Sequence, residues 1–190
     1  MTGELFGFTN IPMAVWIDEQ GTIVRPAESA SIERSPLRDM EIPDGLPPRL
    51  EQTFRVVKAI PDVSADYRAA ITDWARNGAE SPYALTPDEV VARSQPRGID
   101  AAMATACFEL GEVLRRTVDP AAAVPWWREA HRLDPSNWTY KRQAWTLVTT
   151  PEGAEENDLM QGPNEVYEGN WLDDVVAQGG GENYVVVPEL

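Results

Sequence analysis

Residues 8 to 28 read Phe-Thr-Asn-Ile-Pro-Met-Ala-Val-Trp-Ile-Asp-Glu-Gln-Gly-Thr-Ile-Val-Arg-Pro-Ala-Glu, and they carry the β signal of a chain whose remaining pattern is mostly helical. The run Met13–Ile17 is apolar and lies between Pro12 and the turn Asp18-Glu19-Gln20-Gly21. A second short strand, Thr22 to Arg25, follows at once and stops at Pro26. An apolar run, a Gly-containing turn and a β-branched run together predict a β-hairpin.

At 190 residues the chain can fill one sizeable core or two small ones. Its hydrophobic content of 43% and charged content of 25% are ordinary for a folded protein. The formal charge of −15 is not ordinary. It argues against nucleic acid, whose phosphates need a basic face, and against an anionic membrane surface. No run of eighteen apolar residues exists, and no basic stretch leads into an apolar core at the N-terminus. The sequence therefore reads as a soluble cytoplasmic protein. Its one cysteine, Cys107, rules out a Cys-x-x-Cys pair and an internal disulfide, and with one histidine, His131, no multi-Cys/His zinc cluster can form. No metal and no cofactor is expected, and the balance leans away from an enzyme.

Charge is unevenly placed. Residues 151 to 190 hold ten Asp or Glu and no Lys or Arg, whereas residues 100 to 150 carry six of each sign. The basic ones are Arg115, Arg116, Arg128, Arg132, Lys141 and Arg142. Either the acidic tail is a solvated face or it folds back over the basic helices; Tyr167, Trp171 and Tyr184 make it too apolar for a purely disordered segment. The acidic pairs Glu155-Glu156 and Asp173-Asp174 lack the spacing of a metal loop. Gly179-Gly180-Gly181 has no Lys-Ser/Thr after it and reads as a turn or linker. The closing run Tyr184–Val187 has strand propensity and could add to the hairpin.

Between these ends, five prolines in residues 26 to 48 mark an irregular connection. Leu50, Phe54, Val57 and Ile60 recur at helical spacing before Pro61, and a second helix is predicted over Ser64–Arg76. A third begins at a capping box, with Thr86 as cap, Pro87 at the first helical position and Glu89 closing the box. Cys107 sits among Ala104, Ala106, Leu110 and Gly111, where a thiol serves as a small hydrophobe. His131 has no Gly-x-Ser-x-Gly partner motif and reads as a packing or surface residue. Trp74, Trp127 and Trp145 read as helix-face core. Trp126, Trp138 and Trp171 are harder to place and are candidates for a partner-binding surface.

Two resemblances follow from these residues. From Ala104 to Asn137 the chain is similar to one tetratricopeptide repeat, with Leu110, Gly111, Leu114, Ala123, Trp127, Ala130 and Pro135 on the family's positions. Cys107 departs from the large residue usual there. A further helix is predicted from Trp138, Tyr140, Lys141, Trp145 and Leu147. One repeat falls short of the three a free-standing solenoid needs, so it reads as a helical appendage. Residues 5 to 28 resemble the second half of a thioredoxin-like domain, and the chain as a whole resembles bacterial redoxins of the TlpA/ResA type with a helical extension. That resemblance implies a cis bond at Pro12, with Ile11 and Pro12 facing substrate, and thiol–disulfide exchange in intact relatives. The dithiol has no position here to map onto, so no exchange activity is expected of this chain. It also implies roughly one hundred residues preceding Met1 in an intact relative.

The expected fold is α+β and mostly α-helical, in segments 1–28 (hairpin after Pro12), 29–48 (irregular), 49–98 (helical), 99–150 (tetratricopeptide-like) and 151–190 (acidic). Two functions compete: a redoxin relative without its catalytic half, and a tetratricopeptide-type protein-interaction module. Expected partners are another protein, or a second copy through the unpaired hairpin edge.

Overall fold

The computed structural model describes residues 2–94, 96–147 and 163–190, and the pair Glu155-Glu156 lies outside them. The fold is α+β and mostly helical, with one two-stranded antiparallel sheet among the described residues. The chain forms two compact units, residues 1–11 with 96–173 and residues 12–95 with 174–190.

The second of these holds the hairpin, β1 (Met13–Ile17) and β2 (Ile23–Ser29). Asp18 Oδ1 accepts the N–H groups of Gln20 and Thr22 and so fixes the turn. β2 does not stop at Pro26 but runs on to Ser29. Two irregularities in its pairing, between the Ala14 and Trp16 registers and between Trp16 and Ile17, place extra residues on β2. A bulge is where a strand tolerates a proline that cannot donate to the ladder. Trp16 and Arg25 pair across the strands and both face inward, 2% and 1% exposed.

Two strands alone are marginal in water, so the hairpin needs a cover. α3 (Ser64–Asn77) supplies it, after α2 (Pro48–Ala59). Trp16 stacks on Trp74 at 5.0 Å and meets Tyr67 edge-on at 5.8 Å. Its indole N–H donates to the Tyr67 hydroxyl, which in turn donates to Glu28. Burial pushes the Tyr67 phenol up to about 12, so it remains a donor. The Arg25 guanidinium is gripped by both Glu28 oxygens at 2.8 and 2.9 Å, and it donates to the carbonyls of Tyr83 and Glu189. α4 (Pro87–Arg93) opens with both bonds of the Thr86/Glu89 capping box in place.

The expected strand at Tyr184–Val187 is absent. This segment follows a short 3-10 turn, Gly181–Asn183, and leaves Val186 82% exposed. It docks on the hairpin through the Glu189 carbonyl on Arg25, with no strand ladder. The glycine run has steric causes. α8 (Trp171–Ala177) ends as the Gly180 and Gly179 N–H groups donate to the carbonyls of Val175 and Val176, with Gly179 at φ +98°. That is the pattern of a Schellman cap, where glycine is favoured. At Gly181 any Cβ would strike the Val56 carbonyl of α2.

The other unit is helical: a single turn, α1 (Thr2–Leu5), then α5 (Ile99–Thr117), α6 (Pro120–Leu133) and α7 (Trp138–Leu147). α5 begins five residues before the repeat-like pattern. Asp119 Oδ1 accepts the Ala122 N–H and caps α6, with Pro120 at the first helical position. Ala104, Phe108, Ala123, Trp127, Ala130 and Tyr140 form the core, with Phe108 stacked on Tyr140 at 4.5 Å. α5 and α6 approach closely where Gly111 faces the Trp127 indole.

Two substitutions test these cores. In Gly111→Ala, helix propensity alone would stabilise by about 1 kcal/mol. The added Cβ, however, would lie 2.5 Å from Trp127 Nε1, and Trp127 is 1% exposed with nowhere to move. The clash wins, and chemical denaturation should show a net loss of about 1–2 kcal/mol with an unchanged slope. Arg25→Met takes the buried cation away from the half-buried Glu28 and should cost about 3 kcal/mol by the same measurement, whereas Arg34→Met, at an exposed pair, should cost under about 1 kcal/mol.

Candidate functional site

α5 has two apolar sides. Ala104, Cys107, Phe108 and Gly111 are buried, while Ile99, Met103, Ala106, Leu110 and Val113 are exposed. The exposed set steps by four, three, four and three residues, which keeps it on one stripe along the helix. Ile99 is 82% exposed and Met103 53%, so this apolar side meets water directly. The stripe lies about 120° round the helix from Gly111, which receives Trp127. Isolated exposed hydrophobics are ordinary on a folded protein, whereas these five line up along one helix.

Of the three tryptophans expected at a partner surface, Trp126 alone is exposed, at 40% on α6. Trp138 and Trp171 are buried, which corrects their assignment. Trp138 opens α7 with its N–H donating to the Thr9 carbonyl, and the Lys141 ammonium sits 4.3 Å over its ring. Trp171 begins α8. Ile11 and Pro12 are both exposed. Cys107 is buried in the α5–α6 core, and that burial pushes its thiol pKa up, away from the thiolate that exchange chemistry requires.

A buried polar cluster holds the start of the acidic tail. Asn164 donates from Nδ2 to the Ala144 carbonyl and accepts the N–H groups of Val166 and Tyr167. Arg128 donates to the Glu165 carbonyl, and Tyr167 stacks on His131 at 4.8 Å. This part of the tail does fold back over the basic helices, through carbonyls and a ring. Burial, with the Lys141 charge nearby, drives the His131 pKa down to about 4, against a weaker pull from the Tyr140 carbonyl. The imidazole is therefore a neutral packing group.

The second unit carries an open depression of about 380 Å³ lined by Pro61, Val63, Tyr83, Pro188 and the carboxylates Asp62 and Asp66. Asp62 is held near 2 by the Ser64 hydroxyl and amide, with help from Arg34, so it caps and pairs locally. Among the described residues no group of three His, Cys, Asp or Glu could hold a metal, and no helix is long and apolar enough to cross a membrane.

Reading the repeat from Ala104 hid this stripe, because its first turn lies outside the motif and Leu110 counts there as a core position. The 4-3-4-3 spacing from Ile99 was the available signal. Arg25 had no comparable one: a lone arginine before Pro26 does not announce a buried cation.

The His131 environment predicts a specific acid sensitivity. The unfolded ring titrates near 6.5 and the folded ring near 4, so the unfolded state binds the extra proton between those values. The stability from the neutral ring is full above about pH 6.5, falls as pH drops, and levels off below about pH 4. Wild type should lose about 3 kcal/mol more than His131→Phe over that window in denaturant titrations at each pH. No protein-family model, curated protein or solved structure matches the chain.

Proposed function

We propose that this chain is a protein-interaction module that works through the exposed apolar stripe of α5. The observation that carries this reading is the stripe itself, five apolar residues on one solvent-facing side of a 19-residue helix. A helical hairpin of the repeat type cannot bury its apolar surface alone and gains it from a stacked neighbour. The stripe is the side on which such a neighbour would lie, an amphipathic helix presenting its own i, i+3, i+4 and i+7 anchors. Trp126 is an exposed aromatic anchor on α6.

Thiol–disulfide exchange enters this reading only through the relatives that the Pro12 hairpin resembles. With Cys107 buried and its thiolate disfavoured, the redoxin likeness accounts for the hairpin's origin and not for an activity of this chain.

A photo-crosslinking amino acid at Val113 should give an adduct of one discrete mass in cells expressing the full chain, abolished by a second substitution, Leu110→Glu. The same probe at the exposed Glu19 of the hairpin turn should give none. Equal labelling from both positions, or no adduct at Val113, would overturn the proposal.

A further inference from the structure

We infer that the groove between α6 and α7 is a second peptide-binding site, separate from the α5 stripe, and that the chain's own Asn164–Tyr167 occupies it as a displaceable ligand. The partner it fits is an acidic peptide turn that carries a tyrosine.

The segment now in the groove defines what the groove accepts. It is a closed turn: the Asn164 N–H donates to the Tyr167 carbonyl, and Asn164 Oδ1 accepts the N–H groups of Val166 and Tyr167. Three side chains anchor it. Asn164 Nδ2 donates to the Ala144 carbonyl, Val166 is 6% exposed within the helical core, and Tyr167 stacks on His131 and meets Trp145 edge-on at 5.5 Å. Gly169 lets the chain pass the Tyr167 hydroxyl, where a Cβ would clash. Glu165 and Glu168 face water.

This resident turn satisfies the groove incompletely. His131 is buried, and among the described residues neither of its ring nitrogens makes a hydrogen bond; the Trp145 indole N–H makes none either. Buried polar groups in that state favour any ligand that supplies the missing partner. Arg128 donates to the Glu165 carbonyl, and its charge meets no carboxylate among the described residues. Lys141 adds a second positive charge 5.3 Å from the centre of the Tyr167 ring. Charge of this sign selects an acidic partner. A second copy's Asn164–Tyr167 would repeat the resident contacts without improving them, and an attached segment has the advantage of high effective concentration. A partner's turn gains where it brings an acceptor to the indole or a carboxylate to Arg128.

A ligand that displaces the resident turn binds the open form, so its apparent affinity falls with the open fraction. Fluorescence anisotropy of a labelled peptide, Pro-Asn-Glu-Val-Tyr-Glu-Gly, tests this on the full chain, with far-UV circular dichroism confirming that each variant is folded. Val166→Ser combined with Tyr167→Ser empties the groove, and this variant should bind the peptide with a dissociation constant of roughly 10–100 µM. Wild type should bind it at least about 100-fold more weakly. Arg128→Glu added to the emptied variant should weaken binding about 10-fold. A peptide with alanine in place of its asparagine and tyrosine should not bind. Amide hydrogen exchange of wild type gives a reading that needs no variant to fold: the Val166 and Tyr167 amides should exchange at least about 10-fold faster than the Ala130 amide, because the turn opens without global unfolding. Exchange of those amides at the Ala130 rate, a folded variant with no saturable binding, or equal binding of the alanine peptide would overturn the inference. A wild-type dimer abolished by Tyr167→Ser would assign the groove to a second copy and overturn the separate partner.

Discussion

The hairpin unit depends on one buried cation. Arg25 is 1% exposed, and it is tolerated because four of its five N–H donors are spent on the two oxygens of Glu28 and on the carbonyls of Tyr83 and Glu189. A buried charge left unpaired is strongly destabilising, so these bonds are a condition of burial and not an addition to it. They also determine what the unit contains. The Glu28 clamp ties the two ends of the bulged strand together, Tyr83 brings in the turn before α4, and Glu189 recruits the end of the chain. A two-stranded sheet with too little apolar surface is thereby completed by a helix and two carbonyls where a third strand could have stood. Indole, phenol, carboxylate and guanidinium run in sequence from Trp16 to Arg25, each satisfying the next.

The α5–α6 pair solves the opposite problem. Its inner side is close-packed around Gly111 and Trp127, and the absence of a side chain at Gly111 sets the distance between the helices. Its outer side has apolar surface left over. Here it faces water, so the same helix that builds the core on one side carries an exposed apolar stripe on the other. Fold and proposed function are two faces of one 19-residue helix.

Features governed by local chemistry were legible in the sequence. The capping box at Thr86 and Glu89 corresponds to what the chain adopts, and of the two readings left open for the acidic tail, the fold-back over the basic helices is the one Tyr167 follows. What escaped depended on distant partners. Pro26 looked like a strand end because a bulge is not visible without the opposite strand. Tyr184–Val187 has strand propensity, but β propensity reflects a pleated, half-buried setting, and the Arg25–Glu189 contact fixes this segment by a carbonyl. Trp138 was read as the start of a helix and Trp171 lay outside any helical pattern, and neither reading supplied the inner face that buries them. Each begins a helix, and the first residue of a helix owes its burial to what precedes it in space.

The tail shows how an acidic segment can dock without using its charge. Its acidic composition suggested either a solvated face or a charge-driven clasp on the arginines of α6 and α7. The clasp that forms uses the side-chain amide of Asn164, the carbonyl of Glu165 and the ring of Tyr167, none of which carries charge. The cation beneath it, Lys141, is accommodated by the faces of Trp138 and Tyr167. Aromatic faces can hold a desolvated ammonium, and a neutral His131 beside it adds no second positive charge. The helical unit thus anchors the tail without drawing its carboxylates into the core, and it keeps its own charges close to balance.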